Sequence, residues 1–274
     1  MTADPQASGE QPRRGPFEFR GRRAAALIAL ALGVAGFVIS ATGMATQLLP
    51  RRFTAPQQQQ IKNWEISSRW QQLSAGQIFP ASVPYQLSDT VLQDATPLNL
   101  DALRIGIAPQ SSCGVGDLTS AAAKVLRRDG CKAVLRATYV DATWSYVMTV
   151  GVAVLPSEAA AAKAYRSLFQ PQLAAADDAA ASRLAAGIQV VRYRGPAGAM
   201  YDYSRQISHS FPPDGPYLVM YAVGYADSRP RVPVTSDRYS YEEMSSLAQG
   251  VAGSVADTLG RPPASPHCPG TPGC

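Results

Sequence analysis

Hydrophobic and polar positions divide this chain into segments of different character. From Ala24 to Pro50 (AAALIALALGVAGFVISATGMATQLLP) no residue is charged, and Gln47 is the only strongly polar amide. As a helix these 27 residues would reach about 40 Å, against a hydrocarbon core of about 30 Å. A buried helix of that length in a globular core carries a polar face, and this run has none. The pattern predicts one transmembrane helix over residues 24–50, preceded by a polar tail, 1–23, expected to lie disordered in the cytoplasm.

Residues 51–100 read as a juxtamembrane helix and a connector. The stretch 57–75 (QQQQIKNWEISSRWQQLSA) is helical in pattern, with a narrow apolar stripe of Ile61, Trp64, Trp70 and Leu73. That stripe serves a stalk packed on lipid headgroups or on the domain, and it also allows homo-oligomer formation through a helix seam. Pro80 and Pro84 mark the rest as irregular, with one short strand.

A compact domain is expected over 101–260. A short strand at 104–108 ends at Pro109, and a helix over 118–128 has Asp117 as its N-cap and Gly130 as its C-cap. Strands follow at 132–140 and 145–155. Ser157 caps an alanine-rich helix that breaks at Pro171 and resumes to Gly187. Three more strands fall near 188–194, 199–209 and 217–226, the last two joined through the Asp214-Gly215 turn. A helix over 241–259 ends the domain, and 261–274 form a Pro/Gly-rich tail. Strands 146–155 and 217–226 are apolar on both faces, one bulky and one small with a glycine, which places them inside the sheet. The fold class is α+β, a mainly antiparallel sheet with helices packed on one face. The order β-α-β-β-α-β is compatible with a ferredoxin-like unit extended by a hairpin and helix.

Composition and charge sharpen this. With 46% hydrophobic and 16% charged residues the chain has the makings of a core and does not read as disordered throughout. Its net charge of +5 and pI near 9.1 invite a nucleic-acid reading, but the charge is not in the domain. Residues 1–52 hold seven Arg and three acidic residues, whereas residues 53–274 hold 18 basic and 17 acidic. The excess is a membrane flank, and no nucleic-acid partner is expected. Five arginines (13, 14, 20, 22 and 23) precede the apolar run and Arg51, Arg52 and Lys62 follow it. This bias favours a cytoplasmic N-terminus and an extracytoplasmic C-terminal domain on the plasma membrane. Small residues at Ala41, Gly43 and Ala45 keep open a second outcome, secretion after signal cleavage near 43–45.

The four cysteines, Cys113, Cys131, Cys268 and Cys274, allow three pairings. Cys113 with Cys131 around one helix, and Cys268 with Cys274 across CPGTPGC, is the preferred pattern, as structural disulfides in an oxidising exterior. There is no C-x-x-C, and His209 and His267 are the only histidines, so no metal or cofactor site is expected.

Catalytic motifs are weak. Cys113-Gly114-Val115-Gly116-Asp117 lacks the third glycine of a dinucleotide loop and the Gly-Lys-Ser/Thr of a P-loop. Ser208-His209-Ser210 has no G-x-S-x-G elbow to complete it. Asp177-Asp178 and Glu242-Glu243 are adjacent on helices and diverge by about 100°. Tyrosine is the enriched type, 12 against 7 Phe. Tyr201, Tyr203, Arg205, Tyr217, Tyr221 and Tyr225 form the candidate partner-binding face, with a half-buried sheet face as the alternative.

Basic residues comprise 21 Arg and 4 Lys. With the basic leader, the single apolar run, RRFTAPQQQQIKNWEISSRWQQLSAGQIFP and CGVGD…GC…VLRATYVDA, the chain resembles uncharacterised single-pass envelope proteins of actinobacteria. The resemblance implies a bacterial envelope location and transfers no activity. The expected function is a non-catalytic extracytoplasmic module that binds a protein or cell-envelope partner. An envelope hydrolase or processing accessory, and a sensory ectodomain, are the alternatives.

Overall fold

The computed structural model describes residues 54–87, 98–174, 187–195, 205–227 and 236–261, with a few isolated positions between them. The leader, the predicted transmembrane segment 24–50 and residues 262–274, with Cys268 and Cys274, lie outside the described residues. Among the described residues no helix is long and apolar enough to cross a membrane.

Six strands form one curled antiparallel sheet: β1 (Ser82–Leu87), β2 (Leu98–Ser111), β3 (Ala133–Asp141), β4 (Tyr146–Val154), β5 (Arg205–Ser210) and β6 (Tyr217–Tyr225), in the order β1-β2-β3-β4-β6-β5. The helices are α1 (Ala55–Gln72), α2 (Ala75–Ile78), α3 (Ser120–Arg128), α4 (Glu158–Ala174) and α5 (Arg238–Gly260). Among the described elements each pair of strands is followed by a helix, so a strand–strand–helix unit occurs three times.

The ferredoxin-like reading is corrected by the strand order. A split β-α-β unit inserts a strand between the two that flank a helix, whereas here β2 and β3 flank α3 and are antiparallel neighbours, with Ala102 opposite Asp141. The single helical layer is corrected as well. One face of β4 (Met148, Val150, Val152) and β6 (Val219, Val223) packs on α5 through Met244, Leu247, Val251 and Val255, together with Ile78 and Phe79. On the other face, Ala153, Leu218, Met220 and Ala222 pack on α3 and α4 through Leu126, Ala161, Ala164 and Leu168. Two apolar faces require cover on both sides, and the sheet has it.

Local signals place the helix ends with small shifts. Thr119, two residues beyond the expected cap, accepts from Ala122 N–H to start α3, while Asp117 turns to Arg136. Gly130, at φ +84°, closes α3 as expected: the Cys131 N–H bonds Leu126 O at 2.9 Å and the Gly130 N–H bonds Arg127 O at 3.2 Å. Ser157 accepts from the Ala160 N–H at 3.2 Å ahead of α4. That helix does not break at Pro171 but continues to Ala174. β2 continues past Pro109 because a register shift between Ala108 and Ser111 takes up the missing donor.

The segment 188–194 is not a sheet strand. Apart from one isolated bridge, Leu118 to Ile188, it crosses the sheet face rather than extending its edge. Val191 is held there by its N–H to Thr149 Oγ1 at 3.1 Å and its carbonyl from Thr138 Oγ1 at 2.9 Å. Glycines make room: the Ile188 side chain lies over Gly151 and the Tyr193 ring over Gly106. The small face of β4 thus receives this crossing segment as well as a helix. The sheet also begins before residue 101, since β1 pairs with β2 from Ser82. In α1, Ile61 is buried and Trp70 packs on the core, as does Leu73 just beyond the helix, leaving Trp64 of the apolar stripe at the surface.

Candidate functional site

The turn between β3 and β4 is built on a buried carboxylate. Asp141 is 2% exposed and accepts from the backbone N–H of Thr143 at 3.0 Å and of Tyr146 at 2.6 Å, and from the Thr143 hydroxyl. The Thr143 hydroxyl also lies 2.8 Å from the Ser145 hydroxyl. Between them Trp144 sits at φ +58°, the only non-glycine among the described residues with positive φ. For an L-residue that conformation costs about 1–2 kcal/mol, yet the ring is left 52% exposed. The turn presents a bulky aromatic side chain on a rigid mount.

The end of β6 lies beside this turn, joined by the Ala226 N–H to Ser145 O at 2.9 Å. There the Arg229 guanidinium stands 4.4 Å from the centre of the Tyr225 ring and is clamped by Asp227, with Nε 2.8 Å from Oδ2. The hydrogen bond from Arg229 holds the Asp227 carboxyl below the usual carboxylate range. The Tyr225 hydroxyl donates to Asp237 at 2.6 Å, and Asp237 caps α5 by accepting from the Ser240 N–H at 3.2 Å. Those bonds, that of Tyr225 foremost, lower the Asp237 carboxyl. In the first turn of α5 Tyr239 is half exposed, and in the next turn Glu243 accepts from the Tyr146 hydroxyl.

The described residues of the expected binding face, Tyr201, Arg205, Tyr217, Tyr221 and Tyr225, do not share an exposed surface. Tyr201 is buried, donating to Ala222 O and accepting from the Thr149 N–H at 3.0 Å. Tyr217 is buried, donating to Ile66 O and accepting from the Trp70 N–H at 3.3 Å; burial pushes its hydroxyl up to about 12. Tyr221 is half-buried, stacked on His209 with ring centres 6.3 Å apart, and burial pushes it up to about 12 as well. Tyr225 is 3% exposed beneath Arg229. Arg205 is half-buried on the edge strand, and its Nη1 has no partner among the described residues. Tyr203 lies outside the described residues. Period-two alternation correctly put Tyr217, Tyr221 and Tyr225 on one face, but that face is covered by helices.

His209 is packed between two rings, 5.5 Å from Phe169 and 6.3 Å from Tyr221, and its Nδ1 accepts from the Ser210 N–H at 2.7 Å. Glu242 is paired with Arg238 at 2.9 Å, and Asp177-Asp178 lie outside the described residues. Cys113 and Cys131 form a disulfide that ties the loop before α3 to the segment after it. Beside it Asp117 pairs with Arg136 at 2.6 Å, a link that motif spacing did not signal. Among the described residues no cluster of three or more His, Cys, Asp or Glu side chains assembles.

Two clefts border α1. One of about 390 Å3 lies between the end of α1 and β2–β3, against Trp70, Leu73, Ile107 and Leu135. The other, about 540 Å3, runs along α1 against the Pro156–Ala159 and Asp214–Pro216 turns. No protein-family model, curated protein or solved structure matches this chain.

Proposed function

We propose that this is a single-pass membrane protein, held in the lipid bilayer through residues 24–50 with its N-terminus in the cytoplasm. Its disulfide-linked α+β domain stands outside the membrane and binds a protein or cell-envelope partner without doing chemistry on it. The uncharged apolar run with its arginine flank supports the anchor, and the Cys113–Cys131 bond is in keeping with an oxidising compartment.

The observation that carries the binding role is Trp144. A glycine at φ +58° would remove the backbone cost and the exposed indole together, so a tryptophan there has its rationale in what it presents. Arg229, immobilised on Tyr225, and Tyr239 complete a surface of the three residue types that dominate binding hot spots. This surface takes the role first expected of the buried tyrosines.

The test introduces a photo-crosslinking amino acid at position 144 of the full chain in its native membrane. A discrete adduct is expected, lost when Arg229→Ala and Tyr239→Ala are combined. Ala142 is exposed in the same turn, and a membrane-impermeant thiol reagent is expected to label Ala142→Cys from outside the cell. Labelling only after membrane disruption would refute the topology, and absence of any adduct would refute the binding face.

A further inference from the structure

We propose that the larger cleft binds an oligosaccharide of N-acetylated amino sugars. It is separate from the Trp144 surface, because Trp144 precedes β4 and Pro156 follows it, and the 9 residues of the strand lie between them, a length of about 30 Å. One wall of the cleft is α1, which rises about 12 Å from residue 59 to 67. The other walls are the turns Pro156–Ala159 and Asp214–Pro216. Gly215, at φ +65°, brings its turn against the helix, where a Cβ would lie 2.8 Å from Ile66 Cγ2. Asp214 is held from behind by the end of α5, since a Cβ on Gly260 would lie 2.4 Å from its Oδ2. The walls are therefore in place before a ligand arrives, and the volume of about 540 Å3 suits a small ligand rather than a flat protein contact.

The lining mixes donors and acceptors around one aromatic ring. Gln59 Nε2 donates to Asn63 Oδ1 at 2.9 Å, which orients both amides and turns the Gln59 oxygen into an acceptor and the Asn63 nitrogen into a donor for a ligand. Ser157 accepts from the Ala160 N–H at 3.2 Å and keeps its own O–H to donate. Lys62, Glu158 and Asp214 line the cleft and form no ion pair among the described residues. Trp64, 38% exposed, supplies the apolar surface. An apolar chain would strip water from these polar groups and pair none of them. An anion would meet two carboxylates against one ammonium. An extended peptide finds no strand edge to join, because a helix and two turns make the walls. A sugar meets all three conditions: its hydroxyls donate and accept at once, it carries no charge, and its C–H face lies flat on an indole. An acetamido group adds a carbonyl for Lys62, an N–H for a carboxylate and a methyl for the exposed ring of Pro156.

The test titrates the tetramer of N-acetylglucosamine into the full chain, held in a detergent without a sugar headgroup, and follows saturation-transfer NMR of the ligand. Saturable binding with a Kd of about 1 mM or tighter is expected, with the strongest transfer at the acetyl methyl. Trp64→Ala should weaken binding about thirtyfold, as loss of a hot-spot aromatic does, while keeping the thermal midpoint, because the ring is not part of the core. Glu158→Gln should weaken it about tenfold, since a charged acceptor gives way to a neutral one. Absence of saturation by about 10 mM, tenfold above that Kd, would overturn the proposal, as would binding of equal strength to the Trp64→Ala variant. Equal affinity for a glucose tetramer, which has no acetamido groups, would overturn the choice of N-acetylated sugar. A photo-crosslinking residue at position 63 that captures a protein which the tetramer does not displace would assign the cleft to a peptide and overturn the proposal too.

Discussion

Gly151 is the position at which the packing reasoning is most exposed to disproof. It lies in the middle of β4, opposite Arg136 on β3 and Met220 on β6. A Cβ there would stand 2.3 Å from Ile188 Cδ1, 2.7 Å from its Cγ1 and 3.3 Å from Arg136 Cγ. Carbon atoms in contact sit about 3.5–4.0 Å apart, so in Gly151→Ala the Ile188 side chain must withdraw by more than about 1 Å. It has little room to do so, being fully buried in the cluster with Leu118 and Phe169. Overpacking of this kind costs about 1–3 kcal/mol, partly offset by about 0.4–1 kcal/mol from the reduced freedom of the unfolded chain. A net loss of about 1–2 kcal/mol is expected. Ile188→Ala alone should cost about 2–5 kcal/mol through the cavity it leaves. In the double variant the new methyl occupies vacated space, so the combined loss should fall short of the sum by about 1–2 kcal/mol. Denaturant unfolding followed by near-ultraviolet circular dichroism suits the measurement, since all 12 tyrosines lie between residues 85 and 241. Additivity within about 0.5 kcal/mol, or a stabilising Gly151→Ala, would show that segment 188–193 does not rest on the sheet as described.

Reduction of the Cys113–Cys131 bond, which spans a sequence separation of 18, should cost about 3 kcal/mol in the chain-entropy model. Thermal scans with and without reductant should differ by about 6–12 °C, and a shift under 2 °C (about 0.5–1 kcal/mol by the same relation) would contradict that. Trp144→Gly should raise stability by about 1 kcal/mol by relieving the left-handed backbone while abolishing partner crosslinking; chemical unfolding reads the first and the photo-adduct the second. Burial raises Tyr217 and Tyr221 from 10.0 to about 12, and the unfolded chain therefore loses their protons first. Their contribution to stability is full below about pH 10 and is lost as pH rises towards 12, which unfolding midpoints and tyrosinate absorbance at 295 nm will follow together.

Much of the domain is legible in the residues alone. The alternation in 146–155 and 217–226 locates the two innermost strands, and Gly130, Ser157 and Asp214-Gly215 mark the end of α3, the start of α4 and the turn into β6. These signals are local: they depend on backbone dihedrals, on orphan N–H groups and on which side of a pleat a residue faces. The expected N-cap at Asp117 fails because a carboxylate chooses among partners, and Arg136, distant in sequence, offers a charged one. The 188–194 segment misleads for a similar reason. Its extended pattern fits a strand, but beyond one bridge to the loop before α3, with the Gln189 N–H on Asp117 O, it bonds the hydroxyls of Thr138 and Thr149 on the sheet face rather than a sheet ladder.

The candidate surface shows the division most clearly. Tyrosine enrichment and its period-two placement on β6 are readable from the residues, but whether that face meets a helix or water is decided by α5, which arrives from the far end of the chain and covers it. The reverse holds for Trp144. Nothing in DATWS distinguishes an exposed indole from a buried one until the buried Asp141 carboxylate gathers its donors and fixes the turn. By itself the sequence determined the apolar run, the asymmetry of charge around it and the identity of the central strands, because hydrophobic transfer and strand periodicity act over neighbouring residues. Strand order, the covering of both sheet faces and the choice of which aromatic side chains reach the surface came only with the tertiary structure, because they depend on contacts between residues far apart in the chain.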